Sequence, residues 1–489
     1  MSATTAHASP DVIVVGCGPV GVMTALRCAQ HGLAVLGVDR TAEIFPLPRA
    51  IGMDDEIQRL FTTAGLGDEL RRWSTPLAGA EFLDAAGERV VGLDVAPDHR
   101  TGQGHPVTVM FDQPQLEAAL RAAAADAGVT FVLDAEITTI EQSEGAVVLG
   151  AADGRLFRAP WVVGADGATS TVRRLSGRSL VDQGFDQTWL VVDTTRTDPA
   201  LELSPLAQQH CDPERIVSVI PGHDARRRWE FHLRPDEAAD RVIEPAYVME
   251  LLAPWARRDQ LTVDRTAVYR FHATVADRFR TGRVFLAGDA AHQMPPFNGQ
   301  GMCTGMRDAD NLAWKLAAVI QGRAGEPLLD TYDAERRPHA AGQVAHSVDA
   351  GRLIGDIAAG TFGSVTSGYG GGRPFPRLEH GLIDTDAPGA GRPVPQPTID
   401  GVPLDERLGR GWAVLSRLGR PAEPDLGAHP VWERVRARAV TVDHDLGGML
   451  PEDSTALVVV RPDRYVATVG PDAATTGAWV AAGLGVAVR

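Results

Sequence analysis

DVIVVGCGPVGVMTALRCAQHGLAVLGVDR, from Asp11 to Arg40, is the stretch that decides the fold. Its opening DVIVVG is a short apolar run typical of a buried parallel strand, and a helix is predicted from Pro19 to His31. A second apolar run, AVLGV, follows and leads into Asp39. A strand, a helix and a strand in this order predict a βαβ unit, the beginning of a doubly wound α/β domain.

The turn of this unit carries the pattern G-x-G-x-x-G. Gly16 permits a tight turn, Gly18 lets the backbone approach a pyrophosphate, and Gly21 lets the helix pack closely on the strand. An acid placed like Asp39 hydrogen-bonds the ribose hydroxyls. The alternative is an ordinary glycine-rich turn, and FAD and NAD fit the pattern equally well. The predicted dinucleotide-binding residues of this unit are Gly16, Gly18, Pro19, Val20, Gly21, Asp39 and Arg40.

A later stretch, GDAAHQMPPFNGQGM from Gly288 to Met302, favours FAD over NAD. It places Asp289 after a predicted buried strand, where a carboxylate can bind the ribityl hydroxyls. The helix start that follows would present N–H groups to the isoalloxazine and stabilise negative charge on the reduced flavin. The alternative is that Asp289 only caps a helix. The predicted FAD-binding residues here are Gly288, Asp289, Pro296, Gly299, Gly301 and Met302.

With the intervening GADGATSTVR, Gly164 to Arg173, these stretches resemble the class A flavoprotein aromatic hydroxylases, the p-hydroxybenzoate hydroxylase superfamily, over nearly the whole chain. The resemblance implies that the intervening stretch serves FAD and NAD(P)H. It also implies that two arginines and a glutamine bind FAD, although the arginines can also be read as surface charges. The residues carried over are Asp166, Gly167, Arg173, Arg49, Gln113 and Arg121.

Three further stretches are similar to 3-(3-hydroxyphenyl)propionate hydroxylases and their relatives: CDPERIVSVIPG from Cys211, RRRWEFHLRP from Arg226 and RPDRYVA from Arg461. That subfamily carries a C-terminal thioredoxin-like domain without redox function, and here no cysteine follows Cys303. Many superfamily members have asparagine where this chain has Cys303. The resemblance therefore leaves the flavin contact at that position open.

The predicted fold class is α/β, with a discontinuous Rossmann-like FAD-binding domain that is interrupted by a β-sheet substrate domain and followed by a thioredoxin-like domain. The predicted boundaries are 1–75, 105–180 and 265–357 for the FAD-binding domain, 76–104 and 181–264 for the substrate domain, 358–400 for a linker and 401–489 for the C-terminal domain.

The resemblance implies a flavin monooxygenase: NAD(P)H reduces FAD, O2 adds to give a C4a-hydroperoxide, and this hydroxylates a phenolic ring in a pocket that excludes water. His292, His232 and Tyr269 are candidates for the base that activates the phenol. His292 can equally be structural, and His232 can face solvent. Pro295 and Pro296 are candidates to wall the pocket, or form only a rigid loop.

Composition bounds the partners of the protein. A net charge of −16 argues against nucleic acid or an anionic membrane. The four cysteines show no metal-ligand spacing, and the beginning of the chain shows no secretory signal, so we expect no metal site and a cytoplasmic protein. Family precedent favours a homodimer.

Three functions stay open at this stage. The first is hydroxylation of a 3-(3-hydroxyphenyl)propionate-type phenol. The second is hydroxylation or Baeyer–Villiger oxygenation that tailors a polycyclic aromatic natural product. The third is a non-catalytic carrier built on the FAD-binding fold, which the retention of all three flavin stretches disfavours.

Overall fold

The structure of the protein is a computed structural model that describes residues 9–362, 376–418, 424–450 and 455–486. The predicted linker, 358–400, therefore lies partly outside the described residues, as does part of the predicted C-terminal domain. No helix in the described ranges is long and apolar enough to cross a membrane. Within the same ranges, no cluster of three or more His, Cys, Asp or Glu side chains is arranged to hold a metal ion.

The strands, numbered in chain order, are β1 Val12–Val15, β2 Val35–Val38, β3 Gly52–Asp54, β4 Ser74–Pro76, β5 Gly79–Leu83, β6 Arg89–Asp94, β7 Thr108–Phe111, β8 Thr130–Val132, β9 Ile137–Gln142, β10 Val147–Ala151, β11 Leu156–Ala159, β12 Trp161–Gly164, β13 Leu180–Arg196, β14 Ala207–Cys211, β15 Ile216–Pro221, β16 Arg226–His232, β17 Leu261–Ala276, β18 Arg280–Thr281, β19 Val284–Leu286, β20 His292–Gln293, β21 Thr398–Ile399, β22 Val402–Pro403, β23 Ala413–Arg417, β24 Arg438–Val442, β25 Leu457–Val460 and β26 Val466–Gly470.

The α-helices, numbered in the same way, are α1 Pro19–Gln30, α2 Asp55–Thr63, α3 Gly67–Arg72, α4 Gln113–Asp126, α5 Thr171–Leu175, α6 Ala239–Val242, α7 Pro245–Leu252, α8 Gly301–Ile320, α9 Asp330–Ala358, α10 Leu404–Leu408, α11 Val431–Arg434 and α12 Ala473–Gly483.

A six-stranded sheet in the order β18-β19-β12-β1-β2-β8 forms the centre of the first domain. β1 pairs in parallel with both β2 and β12, and β12 pairs in parallel with β19. All four residues of β1 are buried, as expected for a parallel strand covered on both faces. The α/β prediction is confirmed, and the sheet collects strands from chain segments that are far apart in sequence.

An eight-stranded sheet in the order β20-β17-β13-β16-β15-β14-β5-β6 forms the second layer. One face carries the apolar side chains of Leu190, Val219 and Trp229, which form a core cluster with residues of α6 and α7. The domain boundary predicted at residue 265 falls inside β17, because that strand continues without interruption to Ala276. The three consecutive arginines Arg226, Arg227 and Arg228 all lie in β16.

The C-terminal unit contains a four-stranded sheet in the order β24-β23-β25-β26. β23 is parallel to β24 and antiparallel to β25. β25 and β26 form an antiparallel hairpin, and Arg464 adopts a positive φ of 68° in its turn.

Buried charges attach the C-terminal unit to the first domain. The Glu335 carboxylate on α9 accepts from Lys315 Nζ at 2.7 Å and from Arg461 Nη2 at 2.8 Å, and all three side chains are fully buried. The two cations, Lys315 and Arg461, both pair with the Glu335 carboxylate. These charged side chains can therefore be buried together, because each has a partner of opposite charge.

Candidate active site

A cavity of about 1230 Å³ extends from the β1–α1 turn of the six-stranded sheet to one face of the eight-stranded sheet. The β1–α1 turn, the loop after β2 and the beginning of α8 border one end, here called the dinucleotide end. Side chains of β14, β15 and β16 border the other end, here called the substrate end. The cavity exceeds the range of about 300–1,000 Å³ that is usual for a single ligand pocket, so it can accommodate two ligands.

The glycines of the β1–α1 turn serve different purposes. A Cβ on Gly16, which has φ +98°, would lie 2.4 Å from the Ala165 carbonyl oxygen, and a Cβ on Gly21 would lie 1.8 Å from the Gly16 carbonyl oxygen. Gly18 differs, because no atom lies within 4 Å of its would-be Cβ and it borders the cavity. Gly16 and Gly21 are therefore required because a side chain there would collide with main-chain atoms, whereas the space beside Gly18 is free for a ligand.

Asp39 stands at the end of β2 beside this turn. Its carboxylate accepts from the Cys17 backbone N–H at 2.5 Å and from the Thr41 backbone N–H at 2.8 Å. Arg121 of α4 donates through Nη2 to the Cys17 carbonyl at 2.8 Å, while its Nε is buried without a hydrogen-bond partner in the described part of the chain. A buried donor that borders a cavity is satisfied when a ligand supplies the acceptor.

The loop that carries Arg49 is fixed from both sides. The Gln113 side-chain oxygen accepts from the backbone N–H groups of Arg49 and Ala50 at 2.8 and 2.7 Å. Arg228 donates to the carbonyls of Pro48 and Arg49, each at 2.7 Å. The loop is thereby held against the cavity, and Arg49 borders it.

The GADGATSTVR stretch contacts the GDAAHQMPPFNGQGM stretch beside the dinucleotide end. Asp166 accepts from the backbone N–H groups of Thr171 and Val172 at 2.7 and 3.0 Å, at the beginning of α5. The buried Arg173 donates to the carbonyls of Ala168 and Ala290, both at 2.9 Å. Arg173 therefore stands behind the cavity wall and holds two of its segments together.

The GDAAHQMPPFNGQGM stretch brings α8 against α1. A Cβ on Gly305 would lie 2.6 Å from the Val20 side chain and 2.9 Å from Gly288 Cα, so only glycine permits this approach. Asp289 is accessible from the cavity that it borders, and burial by the surrounding protein raises the pKa of its carboxyl. α8 begins at Gly301 without a side-chain cap and borders the cavity there.

These features fit a flavin dinucleotide. The N-termini of two helices, α1 and α8, border one cavity, and neither has a side-chain cap. Their free N–H groups and partial positive charge suit a pyrophosphate at one and an electron-rich ring system at the other. Carboxylates beside both termini, Asp39 and Asp289, can accept from sugar hydroxyls.

Most of the predicted cofactor residues come together at the dinucleotide end. Those that border the cavity are Gly16, Gly18, Pro19, Val20, Asp39, Arg40, Arg49, Gln113, Arg121, Asp166, Gly167, Asp289, Pro296, Gly299, Gly301 and Met302. Gly21, Arg173 and Gly288 stand one layer behind it. Cys303 is fully buried, does not border the cavity, and donates through Sγ to the Gly299 carbonyl at 3.5 Å.

The predicted catalytic residues are placed differently, since Pro296 borders the cavity and the other four do not. His292 is fully buried, with Nε2 2.7 Å from an Asp308 carboxylate oxygen, and Arg336 donates to the other oxygen of Asp308 at 2.8 Å. Asp308 also accepts from the Gly288 backbone N–H at 3.1 Å. This geometry favours a structural role for His292 over a role as the base. Through Asp308, His292 holds the loop that carries Asp289.

His232 and Tyr269 lie among aromatic side chains of the eight-stranded sheet. The His232 ring centroid is 5.1 Å from that of Trp189, and burial lowers the pKa of its imidazole. The Tyr269 ring stacks on Phe271 at 6.3 Å, beneath the Arg265 guanidinium. Of these residues, only Phe271 borders the cavity.

The substrate end contains polar residues that are not among the predicted site residues. Gln209, Ser218 and Glu230 lie opposite one another across β14, β15 and β16, and all three are buried and border the cavity. The signal was present in RRRWEFH, because alternation along a strand puts Arg228, Glu230 and His232 on one face. Trp229 and Phe231, on the other face, belong to the apolar core.

Arg228 is occupied within the protein. Its guanidinium pairs with the Asp193 carboxylate at 2.7 Å through Nε, and its other nitrogens donate to the loop that carries Arg49. It is therefore committed to holding that loop and is a poor receptor for a substrate carboxylate.

Comparison with known proteins identifies relatives with the same architecture. A family model described as FAD binding domain matches residues 9–347. The 3-(3-hydroxy-phenyl)propionate/3-hydroxycinnamic acid hydroxylase of Burkholderia cenocepacia (strain HI2424) is 35% identical over 94% of this chain and 93% of that protein. The enzyme of the same name from Mycobacterium sp. (strain JLS) is 34% identical over 94% of this chain and 88% of that protein.

Solved structures give the same fold. Aklavinone-11 hydroxylase, in a ternary complex with FAD and aklavinone, superposes with a TM-score of 0.81 at 25% identity, covering 97% of this chain and 99% of that one. The anhydrotetracycline hydroxylase OxyS from Streptomyces rimosus superposes with a TM-score of 0.76 at 25% identity, covering 98% and 99%.

Proposed function

Since the chain belongs to the FAD-binding family of flavoprotein aromatic hydroxylases and is a flavin-dependent monooxygenase, we propose that it uses NAD(P)H and O2 to hydroxylate a phenolic ring. The observation that carries this proposal is the single cavity that joins the dinucleotide end to the polar substrate end. A non-catalytic carrier would need no second, substrate-sized compartment continuous with its cofactor site.

In this proposal the dinucleotide end holds FAD. Asp39 receives the ribose hydroxyls, and the N–H groups beside Gly18 receive the pyrophosphate. Asp289 receives the ribityl hydroxyls. The N-terminus of α8 faces the flavin ring and favours the negative charge that develops there on reduction.

When bound, FAD accepts a hydride from NAD(P)H and activates O2 as an electrophilic oxygen donor. The chain's own residues position the phenol and exclude water. Phe271, Phe297 and Ile354 provide apolar cavity wall, and Phe297 is held edge-on by Phe185 and Trp189 at centroid distances of 5.8 and 5.5 Å. An apolar wall of this kind protects an oxidising site from water.

The first substrate to test is 3-(3-hydroxyphenyl)propionate, because the relatives from two bacterial genera that act on it match nearly the whole chain. A polycyclic phenol is the second candidate. It is favoured by a cavity larger than a single ligand pocket requires and by the likeness to aklavinone-11 hydroxylase.

The test measures NADH and NADPH oxidation by the FAD-loaded protein with and without 3-(3-hydroxyphenyl)propionate, together with the mass of the product. We expect substrate to stimulate oxidation and to gain one oxygen atom. Stimulation without an oxygenated product would mark the compound as an effector that uncouples the reaction.

Aklavinone is the second probe in the same assay. Stimulation and oxygenation with aklavinone alone would move the substrate assignment to polycyclic phenols. A protein that binds FAD tightly but oxidises neither nucleotide with either probe would contradict the proposed hydroxylase.

We further propose that the C-terminal unit is thioredoxin-like and that the protein is a homodimer. The strand order β24-β23-β25-β26, with one parallel and two antiparallel pairings, supports the first proposal. Light scattering of the purified protein tests the second.

A further inference from the structure

Glu230 is an unusual cavity residue. Its side chain is buried, it borders the substrate end, and its carboxylate makes no hydrogen bond or ion pair within the described residues. A buried carboxylate without a partner is costly, and natural proteins rarely retain one unless a ligand completes its interactions. The cavity is the direction from which such a ligand would come.

The neighbours of Glu230 across the sheet form a polar row that ends at its carboxylate. Ser218 lies directly opposite, where Cβ atoms are usually about 5 Å apart, and donates through Oγ to the Gln209 side-chain oxygen at 2.7 Å. The Gln209 amide nitrogen is turned to the Val217 carbonyl at 3.3 Å. Gln209 and Ser218 thus satisfy each other and leave Glu230 as the acceptor without a donor.

The charged groups on the same face of the sheet form no ion pair with Glu230 among the described residues. Arg228, two residues earlier on β16, is paired with Asp193, and Arg265 on β17 also lies 3.5 Å from Asp193. His232, two residues later, lies against Trp189. Arg228 and Arg265 therefore pair with Asp193, and Arg228 also donates to the loop that carries Arg49.

We propose that Glu230 is a catalytic residue that accepts the proton of the substrate's phenolic hydroxyl, beside Ser218 and Gln209. The inference rests on the proposed hydroxylation. In this step the phenol O–H bond breaks and an O–H bond forms on a Glu230 carboxylate oxygen, so a neutral phenol and a carboxylate become a phenolate and a carboxylic acid. The phenolate is more electron-rich at its ortho and para carbons, which are the atoms that attack an electrophilic oxygen.

The electrostatics of the site suit this role. Burial raises the pKa of Glu230 to about 7, with Arg228 opposing and Asp193 reinforcing that rise. A base works best when its pKa lies near the working pH. The same negative charge disfavours a substrate carboxylate close by, so the phenol and not the acid group of a phenylpropionate would approach this end.

The decisive experiment compares wild-type and Glu230→Gln holoenzymes with 3-(3-hydroxyphenyl)propionate and with ring-fluorinated analogues whose phenols are more acidic. For the wild type, kcat/KM should rise with pH and level off above about 7, where the carboxylate form dominates. Glu230→Gln should lose that ionisation and be about 100-fold slower at pH values above it.

The deficit of Glu230→Gln should shrink as the phenol becomes more acidic, because such a phenol ionises without a base. A purely structural role would give the same deficit for every analogue. If Glu230→Gln keeps the wild-type pH profile, or its deficit does not depend on phenol acidity, the inference is overturned even though the hydroxylase activity stands. If the wild type hydroxylates none of the probes, the proposed function fails first.

Glu81→Gln is the matched control. Glu81 also borders the cavity, but its carboxylate accepts from Gln208 at 2.8 Å and lies 3.7 Å from Arg89. This variant should retain the wild-type pH profile.

A stability measurement is independent of turnover. Because the pKa of Glu230 is raised in the folded protein, its ionisation destabilises the fold as the pH rises through the range between its ordinary value and about 7. Glu230→Gln removes this loss, so its melting temperature at pH values above 7 should equal or exceed that of the wild type. A lower melting temperature would show that the carboxylate has a stabilising partner and would contradict the inference.

Discussion

At the dinucleotide end, glycines and two helix N-termini bring main chain to the cavity, whereas at the substrate end three strands present polar side chains. Gly16, Gly18 and Gly301 bring backbone to the cavity surface, and two uncapped helix N-termini supply the polar groups. The substrate end instead presents Gln209, Ser218 and Glu230 from three strands. Backbone geometry suits a cofactor common to a whole family, while side chains can change from one substrate to another without disturbing the fold.

The two ends also differ in how substitution should act. At the dinucleotide end, a change at a glycine packed against main chain, such as Gly21, should affect folding and cofactor loading together. A change at the substrate end should separate turnover from folding, as expected for Glu230→Gln.

Gly21→Ala should have the largest effect. Its Cβ would lie 1.8 Å from the Gly16 carbonyl oxygen, a main-chain atom that cannot move without displacing the turn. We expect the folded, FAD-loaded protein to be lost, which the flavin absorbance of the purified protein and its melting temperature would reveal.

Gly18→Ala is the matched control for that substitution. Gly18 has an ordinary φ of −76° and free space around its would-be Cβ. The apoprotein should keep its melting temperature, and the FAD dissociation constant should rise about tenfold because the methyl group obstructs the pyrophosphate. Equal FAD loading in the two alanine variants would show that the glycines do not have the separate roles assigned here.

Arg228→Met should be next in size and would test whether the substrate sheet supports the dinucleotide end. It removes the Asp193 pair and the donors to the Pro48 and Arg49 carbonyls, so a cost of about 3–5 kcal/mol is expected for breaking a buried pair. Denaturant unfolding of the apoprotein measures it.

The control for Arg228→Met is Arg270→Met, which breaks an exposed pair with Asp186. An exposed pair contributes less than about 1 kcal/mol. Similar losses in the two variants would mean that the loop contacts of Arg228 contribute little.

Asp289→Asn should have an intermediate effect on the cofactor alone. Replacing a charged acceptor by a neutral one should raise the FAD dissociation constant about tenfold, within the usual range for a charge-assisted hydrogen bond.

Because burial raises the pKa of Asp289, its carboxyl takes up a proton at a higher pH than usual. FAD affinity of the wild type should therefore fall on acidification, while that of Asp289→Asn should change less. Titration of the apoprotein with FAD at several pH values measures both, and parallel curves would refute the assignment.

Cys303→Ala should have the smallest effect. The side chain is fully buried and does not border the cavity, so FAD affinity should change less than twofold while stability falls by about 1 kcal/mol. A large loss of FAD affinity, measured by the same titration, would mean that this side chain, like the asparagine of many superfamily members, acts on the flavin.

The sequence allowed most of the dinucleotide end to be predicted, because a glycine pattern, an acid after a strand and a helix start are local features. Sixteen of the predicted cofactor residues border the cavity, whereas Gly21, Arg173 and Gly288 support it from behind. The roles given to these residues toward FAD remain predictions. The catalytic residues are harder to predict, because the chemistry of a loop histidine such as His292 suits a base, whereas its burial against Asp308 depends on tertiary packing.

By itself, the sequence determined the α/β class, the family and the cofactor, because these depend on backbone conformations that glycines and apolar runs specify over short distances. Only the tertiary structure decided which side chains meet at the substrate end. Gln209, Ser218 and Glu230 become neighbours through strand pairing, and the face that each presents depends on the register of those strands. That register is set by packing between distant segments, and it places the Glu230 carboxylate at the cavity without a hydrogen bond or ion pair among the described residues.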